Sequence, residues 1–173
     1  MLRIFYSCYG SAHSSILASA IHLGNLPDDR RPTCREILDL PGFDRMEGRD
    51  IGTPLFIGRD ERGVEVYAIG FRSGRQIMSH AVYSLLAAYG APRQDLLLVN
   101  SLAYVNLLTR CGGFLSRQLG IVSVGRPLAA FGIWLSYLDF VAMVREVKTK
   151  RDSLLQGKAG CSSLSGRDDE RRQ

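Results

Sequence analysis

Leu2-Arg3-Ile4-Phe5-Tyr6-Ser7-Cys8 is a run of mostly apolar residues of strand length, and it predicts an interior strand at the start of the chain. The polar stretch Tyr9-Gly10-Ser11-Ala12-His13 follows. Ser14-Ser15 then open a helix whose apolar positions Ile16, Leu17, Ala20, Ile21 and Leu23 share one side, and Gly24-Asn25 supply a left-handed cap. Pro32 to Glu36 forms a capping box, with Thr33 as the cap and Glu36 reaching back, ahead of Ile37-Leu38. Pro41-Gly42 ends that short helix. Phe43 to Gly52 mixes charge with glycine and predicts an exposed connection. Leu55-Phe56-Ile57 and Val64 to Ile69 flank the polar Arg59 to Gly63, the pattern of a β-hairpin with a loop longer than two residues.

The second half alternates helix and strand patterns. Ile77, Met78, Ala81, Val82, Leu85, Leu86 and Tyr89 keep the helical period up to Gly90. Leu96 to Val99 is an unbroken apolar run, as in a strand covered on both faces. Leu102 to Leu119 predicts a helix loosened at Gly112-Gly113, Ile121 to Val124 a short interior strand, and Ser136 to Lys150 a last helix. From Arg151 onward serine, glycine and charge replace apolar spacing. The expected division is therefore one α/β domain over 1–150 and a disordered tail over 151–173. The order of elements predicts a three-layer α/β domain with a mainly parallel central sheet plus an antiparallel hairpin. It opens on a P-loop-like or Rossmann-like strand–loop–helix.

Length and charge narrow the function classes. A chain of 173 residues supports one core. The net charge of +5 is scattered, which favours an anionic small molecule or nucleotide as partner and does not indicate nucleic acid. Cys8, Cys34, Cys111 and Cys161 form no CxxC pair and no secretory segment precedes the first strand, so a reduced, cytoplasmic chain is expected. Pro127 to Val144, followed by Arg145, Lys148, Lys150 and Arg151, imitates a membrane span with a positive flank. Asp139 in its middle would cost about 2.5–3.5 kcal/mol, and Ser136 looks like a helix start. The expectation is a buried strand–loop–helix unit and no membrane. No histidine, cysteine or carboxylate spacing suggests a metal.

In open α/β sheets ligands bind beyond the carboxyl ends of the parallel strands. Three loops are expected there: Cys8 to Ser15, Asn100-Ser101 and Gly125-Arg126, with the Arg72 to Arg75 turn beside them. Against the Walker pattern, Cys8, His13 and Ser14 replace the two glycines and the lysine, and Ser15 alone is retained. Asn100 is neutral where a metal-linked aspartate would stand. These departures weaken hydrolysis more than phosphate binding, because the cradle is backbone. The expected ligand-binding residues are Tyr9, Gly10, Ser11, Ser14, Ser15, Arg72, Ser73, Asn100, Ser101 and Arg126. No cofactor is identifiable.

Two other readings stand beside this one. A helix N-terminus favours the thiolate of a nearby cysteine, so Cys8 is a candidate nucleophile with His13 as its acid–base partner. This resembles low-molecular-weight phosphotyrosine phosphatases and arsenate reductases, although Ser14 stands where they carry arginine. The third reading is a non-catalytic partner-binding protein, in which an exposed Leu128 to Trp134 would pair with another chain. His22 and His80 are expected as helix packing residues.

Tyr6 to Ser15, Ala20 to Gly24, Pro32 to Leu38 and Asp50-Ile51-Gly52 with Phe56-Ile57-Gly58 resemble an uncharacterised family of Firmicutes, many of them spore formers, known as domain of unknown function 3189. The resemblance spans about residues 2–148 and implies one compact bacterial domain. It implies no activity, substrate or cofactor.

Overall fold

The computed structural model describes residues 1–44, 50–117 and 119–165. Its centre is β1 (Arg3–Cys8), where Ile4, Tyr6 and Cys8 are buried on one face while Arg3 and Phe5 lie on the other. β2 (Leu55–Arg59), β3 (Glu65–Gly70) and β4 (Leu96–Asn100) complete a four-stranded sheet in the order β2-β3-β1-β4. β1 runs parallel to both neighbours, with Cys8 opposite Gly70 and Ser7 opposite Asn100. The carboxyl ends of three strands therefore finish side by side. β2 is antiparallel to β3, as the hairpin pattern predicts. Inside the turn, Asp60 accepts hydrogen bonds from the amides of Arg62 and Val64, each at 2.9 Å.

The two sheet faces are covered unequally. α1 (Ser14–His22) is buried along its whole length, with Ile16, Leu17 and Ile21 in one core with Ile4, Tyr6, Val66 and Leu97. Tyr137, Phe140, Val144 and Val147 of α6 (Tyr137–Ser165) join the same core. On the other face Phe5 stacks on Tyr67 at 4.7 Å and Phe56 meets Tyr67 edge-on. α3 (Arg75–Ala88) keeps its predicted period but buries no residue, and Ile77 stays 76% exposed. The third layer is thus open, whereas the sequence pattern predicts it closed.

Local signals hold where they are self-contained. α2 (Cys34–Leu38) carries the expected capping box between Thr33 and Glu36. Three expectations need correction. Ile121 to Val124 is not a strand, because α5 begins at Val122 and runs to Leu135. A Cβ on Gly112 would lie 2.3 Å from Ala129 N, and one on Gly125 would lie 2.3 Å from Ser116 N. α4 (Leu107–Arg117) and α5 therefore pack at backbone distance, and that contact overrides the strand preference of the valines. Gly125 and Arg126 consequently lie inside α5, not at a strand end, and Arg126 Nη2 donates to the Leu38 carbonyl at 2.6 Å.

The boundary expected after residue 150 falls within α6, which continues to Ser165 and buries Arg151. Residues 166–173 of the expected tail, and 45–49 of the expected connection, lie outside the described residues. Within Leu128 to Trp134, Ala129, Ala130, Gly132 and Ile133 are buried, while Phe131 is exposed and stacks on Trp134. Among the described residues no single helix is long and apolar enough to cross a membrane, and α5 meets α6 at a bend of 63°.

Candidate functional site

The turn leaving β1 is tied on both sides. The amides of Phe71 and Arg72 donate to the carbonyls of Cys8 and Tyr9 at 3.0 and 2.8 Å, and the amide of Asp44 donates to the Ala12 carbonyl at 2.8 Å. Ser11, Asp44 and Arg72 have φ values of +56°, +56° and +47°, left-handed conformations that side chains rarely adopt. All three stand on these ties or beside them, so backbone strain is concentrated at one rim of the sheet. Space above Gly10 is open, since a Cβ there would meet nothing within 4 Å. Ser11 is 1% exposed and its Oγ has no partner.

His13 is the N-cap residue of α1, yet its side chain caps no amide. The first-turn N–H groups of a helix have no acceptor within it, and here the cap does not supply one. The imidazole instead turns to Asp44, with Nε2 3.0 Å from Oδ1. The two atoms are close but not aligned as a hydrogen bond. The Asp44 side chain is 1% exposed, that of His13 14%. Ser116 Oγ, from α4, donates to the other Asp44 oxygen. Phe43 meets the imidazole edge-on at 5.2 Å. Gly113 faces it from α4, where a Cβ would stand 3.2 Å from Cε1 and 3.4 Å from Nδ1.

Several residues expected around a ligand point inward. Cys8 Sγ lies 3.1 Å from Ser15 Oγ, and both are buried. Ser101 Oγ donates to the Ser7 carbonyl at 2.8 Å and lies 3.3 Å from Ser14 Oγ. These groups bind the end of β1 to β4 and α1 beneath the turn, so as side chains they are withdrawn from the rim. Tyr9, Arg72 and Ser73 are exposed, and Asn100 is half-buried with its Oδ1 unpartnered. Arg126 is removed to the far side of α2, where it lines an opening of about 390 Å³ with Leu38, Asp39, Val122, Ser123 and Pro127.

His22 belongs to a second, sealed cluster. Its Nδ1 lies 2.7 Å from the Tyr6 hydroxyl and its Nε2 3.1 Å from Asp60 Oδ2, to which Arg151 Nη1 donates at 2.7 Å. Burial pushes the His22 imidazole below its ordinary value, opposed by the hydrogen bond to Asp60. Burial also raises the Asp60 carboxyl, but hydrogen bonds from Arg151, His22 and two amides outweigh it and hold the group below the usual range. Every member is satisfied within the cluster, which gives it the character of a clasp. His80, on α3, is exposed.

Asp44, Gly113 and Ser116 are the site residues that sequence reasoning missed. The turn chemistry of Pro41-Gly42 places a bend before Asp44, but nothing local pairs that carboxylate with His13. No curated protein and no solved structure matches the chain. A family model matches it over residues 3–149, and on that match the chain belongs to the family described as Protein of unknown function (DUF3189).

Proposed function

We propose that this protein binds a phosphorylated small molecule or a nucleotide at the turn from β1 into α1. The observation carrying the reading is the N-cap position of His13. Its ring packs against Asp44 and Phe43 and caps no first-turn amide of α1, while the space above Gly10 is open. Helix N-termini favour phosphate because unpaired N–H groups and the helix dipole both face the anion. In that sense the turn is P-loop-like, with main chain in place of a lysine. The exposed Arg72 adds positive charge at the same rim.

The test is thermal shift and calorimetry with a panel of nucleotides and phosphorylated metabolites, on the wild type and on His13→Ala. A ligand at a hundredfold excess over its Kd adds about 2.7 kcal/mol to stability. A rise in Tm that His13→Ala diminishes supports the reading. If no anion raises Tm, it is overturned.

A further inference from the structure

We propose that the outward side of α4 docks on a membrane surface carrying anionic phospholipid. An amphipathic helix on a globular domain ordinarily turns its apolar stripe to the core. α4 is built the other way round. Thr109, Gly112 and Ser116, spaced by three and four residues, are buried, and a Cβ on Gly112 would strike the α5 backbone. Leu107, Cys111 and Phe114 repeat that spacing on the opposite side, with Leu108 beside them. All four are exposed, Leu107 by 74% and Phe114 by 56%. Small and hydroxyl-bearing residues thus face the protein, and large apolar ones face out. Leu119 and Ile121, exposed ahead of α5, add apolar area at the end of the helix.

The charge around this face decides its occupant. From Leu96 to Leu138 the chain carries Arg110, Arg117 and Arg126 and no lysine, aspartate or glutamate. Arg110 is exposed on α4 and flanks the apolar stripe. Asp39, which lines the opening beside Val122 and Arg126, is paired with Arg35 at 3.6 Å. A second copy of the chain would set arginine against arginine with no carboxylate of this segment between them, which disfavours self-pairing here. An anionic bilayer supplies both complements, acyl chain for Leu107 and Phe114 and phosphate for arginine. The 11 residues of α4 make about 16 Å of helix against a hydrocarbon core of about 30 Å, so it lies along the interface without crossing. Docking of this kind needs no ligand at the β1–α1 turn.

Flotation of the full chain with lipid vesicles tests the proposal. Vesicles of phosphatidylglycerol and phosphatidylcholine in equal parts should carry the protein. Pure phosphatidylcholine should carry about tenfold less, and raised salt should release the bound fraction. Iodoacetamide labelling of Cys111 should slow severalfold on the anionic vesicles, with Cys34 as the control. Leu107→Ser and Phe114→Ser, each at an exposed position, should keep the wild-type Tm and weaken binding by about tenfold. Arg110→Glu should also weaken it and flatten its salt dependence. No flotation on anionic vesicles, equal flotation on both lipids, or binding unmoved by Phe114→Ser overturns the proposal. Cys111 labelled at an unchanged rate on anionic vesicles overturns it too. So does a dimer in lipid-free buffer, seen by sedimentation and dissociated by Phe114→Ser, which would assign the face to a second copy.

Discussion

Cys8 Sγ lies 3.1 Å from Ser15 Oγ, so the thiol at the end of β1 is engaged by the first turn of α1. Alkylation with iodoacetamide should therefore follow exposure. Among the three cysteines whose surroundings are described, Cys111 is exposed and should react first, Cys34 is half-buried and should follow, and Cys8 should wait for unfolding. Peptide mass spectrometry over time reads the order. Equal rates at Cys8 and Cys111 would return the cysteine to the list of candidate nucleophiles.

Arg151→Met should cost about 3–5 kcal/mol, because it leaves the sealed Asp60 carboxylate without its guanidinium partner. Urea denaturation measures the loss. A cost under about 1 kcal/mol, the range of exposed pairs, would mean that water reaches Asp60.

The same cluster sets a pH dependence. His22 is held below its ordinary 6.5 when folded, so between the two values the unfolded chain takes up a proton that the folded chain does not. Stability is full above about 6.5 and declines as pH falls through that window. Asp60 is held below 3.8, so its contribution persists to lower pH and is lost as pH falls through its folded value. Urea midpoints should be flat at and above about pH 7, fall below about 6.5, and fall again below about 4. His22→Gln should remove the first decline and keep the second. Midpoints unchanged down to about pH 5 would contradict a neutral, buried His22.

Gly112→Ala should destabilise the protein by about 1–3 kcal/mol, since the new methyl must separate α4 from α5. Gly10→Ala is the matched control and should change stability little, as its Cβ would enter open space. Parallel thermal melts compare the two. Equal losses would show that the helices do not touch at backbone distance.

What could be read in the chain was what local chemistry decides. Thr33 and Glu36 cap one another three residues apart, and Arg59 to Gly63 turns a hairpin whatever surrounds it. Ile121 to Val124 misled because its apolar side chains suit a strand, while the deciding contact is between glycines of two helices. Arg151 reads as the start of a polar tail until Asp60, far back in the chain, is brought to it. The end of β1 and the start of α1 stand where the apolar run and Ser14-Ser15 predict them. Asp44, beside His13, sits in a stretch whose charge pattern predicts exposure, and only tertiary packing against Ser116 buries it.

Main-chain ties hold the β1–α1 turn to the Phe71–Arg72 backbone on one side and to Asp44 on the other. A visiting molecule would meet a mould already set when the polypeptide folded, with little ordering left to perform on arrival. Encounter and capture should then be one event: observed association rates would climb linearly with concentration and show no plateau, as a gated entrance would impose.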